Sequence, residues 1–245
     1  MFNAVLEDLG LFRDSMTSIA ELIDETDLVI RSDGIKMVAS DRAVVVVIDF
    51  FLEKSLFKEY NYSTDMRVGV NLLNLLRILK RASSNDVMHI KIDKKIEVKF
   101  TGSSSRIFTL PIIEVSKDDL PPIDKLEFVT SFDIKSDLMS DSIDDADLVS
   151  DTLVLMTAGG RLFINADHDQ SSVELEMGDA VIKNLKTADN SRGRYSIEYL
   201  KKIMKAKKIS EHVSLGYSTD YPMKILFNIP GKARLCFILA PRVEE

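Results

Sequence analysis

The chain has 245 residues, 45% of them hydrophobic and 29% charged, the balance of a folded soluble protein and not of a disordered one. Its 32 Lys and Arg stand against 39 Asp and Glu, and 32 minus 39 leaves −7. That excludes a surface basic all round, so a role on nucleic acid requires cations gathered in one place. The single cysteine, Cys236, excludes an intrachain disulfide and reads as a small buried hydrophobe, since its neighbours are apolar.

No apolar run approaches the roughly 20 residues of a membrane span, and Met1-Phe2-Asn3-Ala4-Val5 lacks the basic start of a secretory leader. The expectation is a soluble intracellular protein with no membrane partner. The length suits two domains of about 120 residues each.

From Leu9 to Ile23, Leu9, Phe12, Met16, Ile19, Ala20 and Ile23 recur at helical spacing, with Arg13, Ser18 and Glu21 on the opposite face. Leu28 to Arg31 and Ile35 to Ala39 read as strands about an Asp33-Gly34 turn, and Val44 to Phe51 as a third strand. Met66 to Asn71 is a strand whose last residue caps a helix from Leu72 to Ala82. Leu72, Leu75, Leu76 and Leu79 share its inner face and Arg77, Lys80 and Arg81 its outer one. Val87 to Ile92, Ile96 to Phe100 and Arg106 to Ile113 form a meander.

The second half repeats the first. Asn71, Leu72, Leu75, Arg77, Ile78, Leu79 and Lys80 fall on Ser196, Ile197, Leu200, Lys202, Ile203, Met204 and Lys205 at one offset, 196 minus 71, or 125. The same offset carries Met88, Ile90 and Ile92 onto Val213, Leu215 and Tyr217. The turn Ser32-Asp33-Gly34 recurs as Ala158-Gly159-Gly160. The predicted architecture is α+β, two duplicated domains at 1–115 and 128–245 joined by a linker at 116–127. Each domain packs two amphipathic helices on antiparallel sheets, polar faces outward.

Pro121 and Pro122 keep regular helix and central strand out of the linker. Leu120 and Ile123 stand there among charges, and either tuck back onto their own domain or offer a surface to a partner. The outward helix faces carry Arg13, Arg77, Lys80, Arg81, Lys202 and Lys205, with Lys207 and Lys208 beyond, a cluster suited to phosphate backbone or to plain solvation.

No catalytic motif, metal-ligand spacing or cofactor loop is visible, and His89, His168 and His212 lie in unrelated segments. Five aspartates, 137, 141, 144, 145 and 147, crowd one helix whose inner side is Met139, Ile143 and Ala146. They read as a solvated face before a divalent-metal site.

At Val68-Gly69-Val70-Asn71-Leu72 through Ile78-Leu79-Lys80, at Tyr195-Ser196-Ile197-Glu198-Tyr199-Leu200 and at Leu239-Ala240-Pro241-Arg242-Val243-Glu244, the sequence resembles the sliding clamps of archaea and eukaryotes, the proliferating cell nuclear antigen (PCNA) family. The likeness runs over the whole chain. It implies the DNA-clamp fold in a ring of three subunits, identical or paralogous, with helices around duplex DNA and no catalysis or cofactor.

It further implies that the linker is an interdomain connecting loop, with Leu120, Pro122 and Ile123 over a pocket walled by Ser40, Val44, Val45, Pro222, Ile238, Leu239, Ala240 and Pro241. Short peptides of DNA polymerase, clamp loader, flap endonuclease and DNA ligase would dock there as helices in a groove. Ser40 stands where the family often has a bulkier residue. The acidic helix also departs from the family, which often has basic residues at that place.

The location implied is cytoplasmic and nucleoid-associated in an archaeon, nuclear in a eukaryote. Two edges are expected to close the ring, through Phe108 and Leu110 on one side and Val173 and Leu175 on the other. Two other readings stand beside this one: a ring-shaped peptide scaffold that does not encircle DNA, and a metal-dependent phosphohydrolase using the aspartate-rich helix.

Overall fold

Alternating apolar and polar residues make nearly half of the chain into antiparallel strands, with two short helices inserted in each half. The computed structural model describes residues 1–116, 120–178, 180–187 and 190–243. Lys117, Asp118 and Asp119 of the predicted linker and Glu244 of the terminal motif lie outside the described residues.

The elements of the first half are β1 (Phe2–Leu6), α1 (Gly10–Ile19), β2 (Glu25–Ile30), β3 (Gly34–Ser40), β4 (Val46–Glu53), β5 (Glu59–Asn61), β6 (Met66–Asn71), α2 (Leu72–Leu79), β7 (Val87–Ile92), β8 (Lys95–Thr101) and β9 (Ser105–Pro111). Those of the second are β10 (Thr130–Lys135), α3 (Ser136–Asp147), β11 (Thr152–Ala158), β12 (Arg161–His168), β13 (Ser171–Met177), β14 (Lys183–Lys186), β15 (Arg192–Ser196), α4 (Ile197–Ile203), β16 (His212–Tyr217), β17 (Met223–Ile229) and β18 (Ala233–Leu239).

Both halves follow one order: a strand, a helix, five strands, a helix, three strands. Their pairing also corresponds. The run β5-β1-β7-β8-β9 has its counterpart in β14-β10-β16-β17-β18, and β4-β3-β2-β6 in β13-β12-β11-β15. The repeat read from the Asn71 and Ser196 blocks is therefore a repeat of whole topology.

The chain forms two compact units. One comprises Met1–Ser40, Ile48–Asp119 and Ile229–Leu235, the other Asp41–Val47, Leu120–Asn228 and Cys236–Glu245. The first is filled by Phe2, Leu6, Met16, Phe50 and Phe100, the second by Phe132, Tyr195, Tyr217, Phe227 and Phe237, all essentially inaccessible. Each such side chain contributes about 1.5–3 kcal/mol of burial. Gly69 is required by a close approach: a Cβ there would lie 2.0 Å from the carbonyl oxygen of Ile113.

Several boundaries differ from the sequence reading. Helix α1 ends at Ile19 and not Ile23, because Glu21 and Leu22 donate to the carbonyls of Ser18 and Ile19, three residues back. Such a turn keeps nearly helical spacing, so the apolar periodicity runs past the helix. Ser18, predicted on the solvent face, is buried, and its hydroxyl donates to the Asp14 carbonyl at 3.0 Å. That bond leaves no polar group orphaned, which makes burial tolerable.

Asn71 caps α2 as predicted, Oδ1 accepting from Asn74 N at 3.0 Å, a contribution of about 1 kcal/mol. Its counterpart Ser196 makes no side-chain cap; Ile197 N donates to the Asp151 carbonyl at 3.0 Å. Strand β4 begins at Val46, two residues later than predicted, because 41–45 form a turn. Strand β9 stops at Pro111, and Ile113 bridges separately to Gly69. Beyond Pro122 the linker makes a single 3-10 turn, Ile123–Lys125.

Candidate nucleic-acid interface and docking site

In the first unit α1 packs beside α2, and the cations predicted on them reach solvent. Arg77, Lys80 and Arg81 are exposed. Among the described residues Lys80 and Arg81 have no carboxylate within ion-pair distance, and the Arg77 guanidinium only grazes Asn74 Oδ1 at 3.5 Å. Arg13 is half-exposed, 3.7 Å from Asp14.

The second unit arranges its charges differently. Helix α4 runs into a 3-10 turn, Met204–Lys208, and both pack on α3. Asp147 and Asp144 of α3 face Lys201 at 2.5 and 3.7 Å, and Asp137 faces Lys207 at 3.3 Å. The hydrogen bond that Lys201 donates to Asp147, with the charge of that carboxylate, raises the Lys201 pKa. Lys202 pairs with Glu198 at 2.7 Å, a bond that lowers the Glu198 pKa, and its Nζ lies 5.5 Å over the Tyr199 ring.

Lys205 and Lys208 are exposed and have no acidic partner among the described residues. A cleft of about 270 Å³ between α3 and α4 is lined by Asp144, Lys201, Lys205, Lys207 and Lys208. Lys201 escaped the sequence reading because its partners lie 54 residues or more away in the chain. Three of the five α3 aspartates, Asp137, Asp144 and Asp147, thus face lysines, and no three of His, Cys, Asp and Glu among the described residues stand close enough to hold a metal.

Of the residues predicted to dock partners, Val44 and Val45 lie in the turn 41–45, and Ala240 and Pro241 follow the end of β18. Asp41 is buried, and its carboxylate organises the turn. Oδ1 accepts from Val45 N at 2.8 Å and Val46 N at 2.9 Å, while Oδ2 accepts from Ala43 N at 3.3 Å and the Tyr199 hydroxyl at 2.8 Å. Burial, with the Asp41 bond, pushes the Tyr199 pKa up to about 12, so the phenol is the donor. Val44 sits at φ 54 and is 51% exposed.

A β-branched residue in this left-handed region costs about 1–3 kcal/mol, which the charged hydrogen bonds to Asp41, about 1.5–3 kcal/mol each, offset. Asp41 and Tyr199 carry no local motif that marks this role.

Val45 is joined to the terminal segment by Ala240 N, which donates to its carbonyl at 2.9 Å. Ala240 and Pro241 are half-buried, and the next residue ties the segment down: Arg242 reaches Asp151 at 2.8 Å and Thr152 Oγ1 at 2.7 Å, and its N–H donates to the Arg194 carbonyl. The Arg242 bond lowers the Asp151 pKa. Leu239 is fully buried and Ile238 nearly so, so they support the segment from beneath. Leu120, Ile123 and Pro222 are half-buried, as is Ser40 in the first unit, and Pro122 is exposed.

Strands β9 and β13 each end their run. Phe108, Leu110, Val173 and Leu175 are half-buried along them, and the Phe108 ring rests 6.0 Å from Phe100, edge to face. Ile107, 59% exposed, is the outward apolar residue of β9.

A duplicated unit of two helices on antiparallel sheets, with cations on the helices, is the DNA-clamp fold. The family model for the N-terminal domain of proliferating cell nuclear antigen matches residues 1–105. DNA polymerase sliding clamps of Methanobrevibacter smithii and Thermococcus gammatolerans are each 30% identical over 100% of this chain and 99% of their own. Crystal structures superpose with TM-scores of 0.91, for PCNA of Thermococcus kodakaraensis at 22% identity, and 0.90, for the PCNA2-PCNA3 complex of Sulfolobus tokodaii at 28%. Each covers 99% of this chain and 100% of the solved one. The chain belongs to the PCNA family of DNA polymerase sliding clamps, which are processivity factors and not enzymes.

Proposed function

We propose that this chain is one subunit of a three-membered ring that encircles duplex DNA and holds replication and repair enzymes to it. The observation that carries the reading is the repeated pair Lys80 and Lys205, which occupy equivalent places in the two copies, both exposed and without acidic partners among the described residues. A closed ring is linked to DNA mechanically, so its phosphate contacts can stay weak and non-specific, and weak contacts let it slide.

Arg77 and Arg81 add to the exposed charge of the first copy and Lys208 to that of the second, while Arg13, Lys202 and Lys207 contribute charge already shared with Asp14, Glu198 and Asp137. DNA polymerase, clamp loader, flap endonuclease and DNA ligase dock by short peptides against Val44, Val45, Ala240 and Pro241, with Leu120, Pro122 and Ile123 of the linker closing over them and Ser40 and Pro222 at the margins.

Ring closure pairs β9 of one copy, with Phe108 and Leu110, against β13 of the next, with Val173 and Leu175. The Sulfolobus tokodaii structure, a complex of PCNA2 with PCNA3, supports a paralogue as a neighbour. Changing Arg77, Lys80, Lys202 and Lys205 to Glu tests the DNA face: loading and polymerase stimulation fall while thermal stability holds. Full stimulation at physiological salt by that variant contradicts the assignment.

A further inference from the structure

We propose that Tyr199 is a positioning residue for partner docking, acting through Asp41 to hold the turn 41–45 in the shape that presents Val44. The inference rests on the docking reading given above. Three observations carry it.

The turn has an unfavourable backbone: Val44 is β-branched, stands at φ 54 and has half its surface in solvent, so its own side chain does little to hold it there. Backbone bonds brace it, Val44 N donating to the Asp41 carbonyl, Asp41 N to that of Val46 and Ala240 N to that of Val45, and one carboxylate gathers the remaining N–H groups. Asp41 Oδ1 takes the N–H groups of Val45 and Val46, and Asp41 Oδ2 takes Ala43 N. That carboxylate is itself oriented from outside the turn, by the Tyr199 hydroxyl at 2.8 Å across 158 residues of sequence.

Tyr199 is anchored in turn: its neighbours Ile197 and Leu200 on α4 are fully buried, and the Lys202 ammonium lies over its ring. The phenol therefore sets the rotamer of Asp41, and Asp41 sets the turn. A docking surface whose shape is held before the partner arrives binds more tightly, because affinity falls with the fraction of molecules in the competent shape.

The test removes one oxygen. Tyr199→Phe keeps the ring and its burial, and Val44→Asp serves as the docking control, since Asp tolerates a left-handed backbone and the variant should fold. A fluorescein-labelled peptide carrying the clamp-binding segment of the cognate DNA polymerase is titrated by polarisation, and amide hydrogen exchange is followed at Ala43, Val45 and Val46. The expected result for Tyr199→Phe is about tenfold weaker binding, faster exchange at the amides bonded to Asp41 and not elsewhere, and a melting midpoint lower by only a few degrees. A merely structural role would speed exchange throughout the unit in proportion to the loss of stability.

Wild-type affinity or wild-type exchange in Tyr199→Phe, with binding lost in Val44→Asp, overturns the positioning role and leaves the docking reading intact. Wild-type affinity in Val44→Asp overturns the docking reading and this inference with it.

Discussion

Tyrosines that are kept neutral by burial make this protein sensitive to alkali in a definite window. Burial pushes the Tyr217 phenol from its ordinary 10.0 up to about 12, and raises Tyr195 further, while Tyr199 reaches about 12. A folded-state pKa above the unfolded one means that the folded form keeps the proton. The stability this contributes is complete below pH 10 and is lost as pH rises toward about 12. The urea midpoint should therefore stay level to pH about 10 and then fall, in step with phenolate absorbance. Tyr217→Phe should flatten the fall; an unchanged profile in that variant would show that another group drives it.

A second consequence at this scale concerns the linker. Replacing Leu120 and Ile123 together by Ala should weaken partner-peptide binding and leave the melting midpoint close to wild type, because both are half-buried residues of a connector and not of a core. Peptide affinity equal to wild type would remove the linker from the docking site.

Among the elements, α3 and α4 show an acidic helix tempering a basic one. Surface ion pairs contribute little to stability, so the arrangement matters for the field and not for the fold. Changing Asp137, Asp144 and Asp147 to Asn should free Lys201 and Lys207, tighten non-specific DNA binding several-fold at low salt and steepen its salt dependence. Asp141→Asn with Asp145→Asn, which removes charge from the same helix without touching a pair, should do less. Equal effects per charge removed would show that net charge alone matters.

This is also where the sequence was legible and where it was not. The apolar stripe and Asn71 cap marked α2 because periodicity and capping are local. The offset of Lys80 and Lys205 showed the duplication for the same reason. The pairing of Asp147 with Lys201 and the grip of Tyr199 on Asp41 bring together residues 54 and 158 positions apart, and no local pattern encodes them. Ser18 misled because a serine that returns its hydroxyl to a helix carbonyl buries as quietly as an alanine.

At the scale of the whole molecule, a clamp must close on itself. Strands β9 and β13 end their runs, and an unpaired edge is a template for another strand. Phe108→Asp with Leu175→Asp should give folded monomers by sedimentation. Because the Phe108 ring also leans on Phe100, the first change lowers stability too, so Leu175→Asp alone gives the cleaner reading. A double variant that still sedimented as a trimer would place the subunit contact elsewhere.

The central claim is that the protein holds DNA by encircling it. The direct measurement loads the purified protein, with any clamp chains that copurify, onto nicked circular DNA using the cognate clamp loader, then follows its retention at high salt before and after the circle is cut. Encirclement predicts that the protein stays on the circle at salt that abolishes charge-based binding, and leaves when a restriction cut provides an end. Retention that is the same on cut and uncut DNA, or lost from both as salt rises, would contradict it.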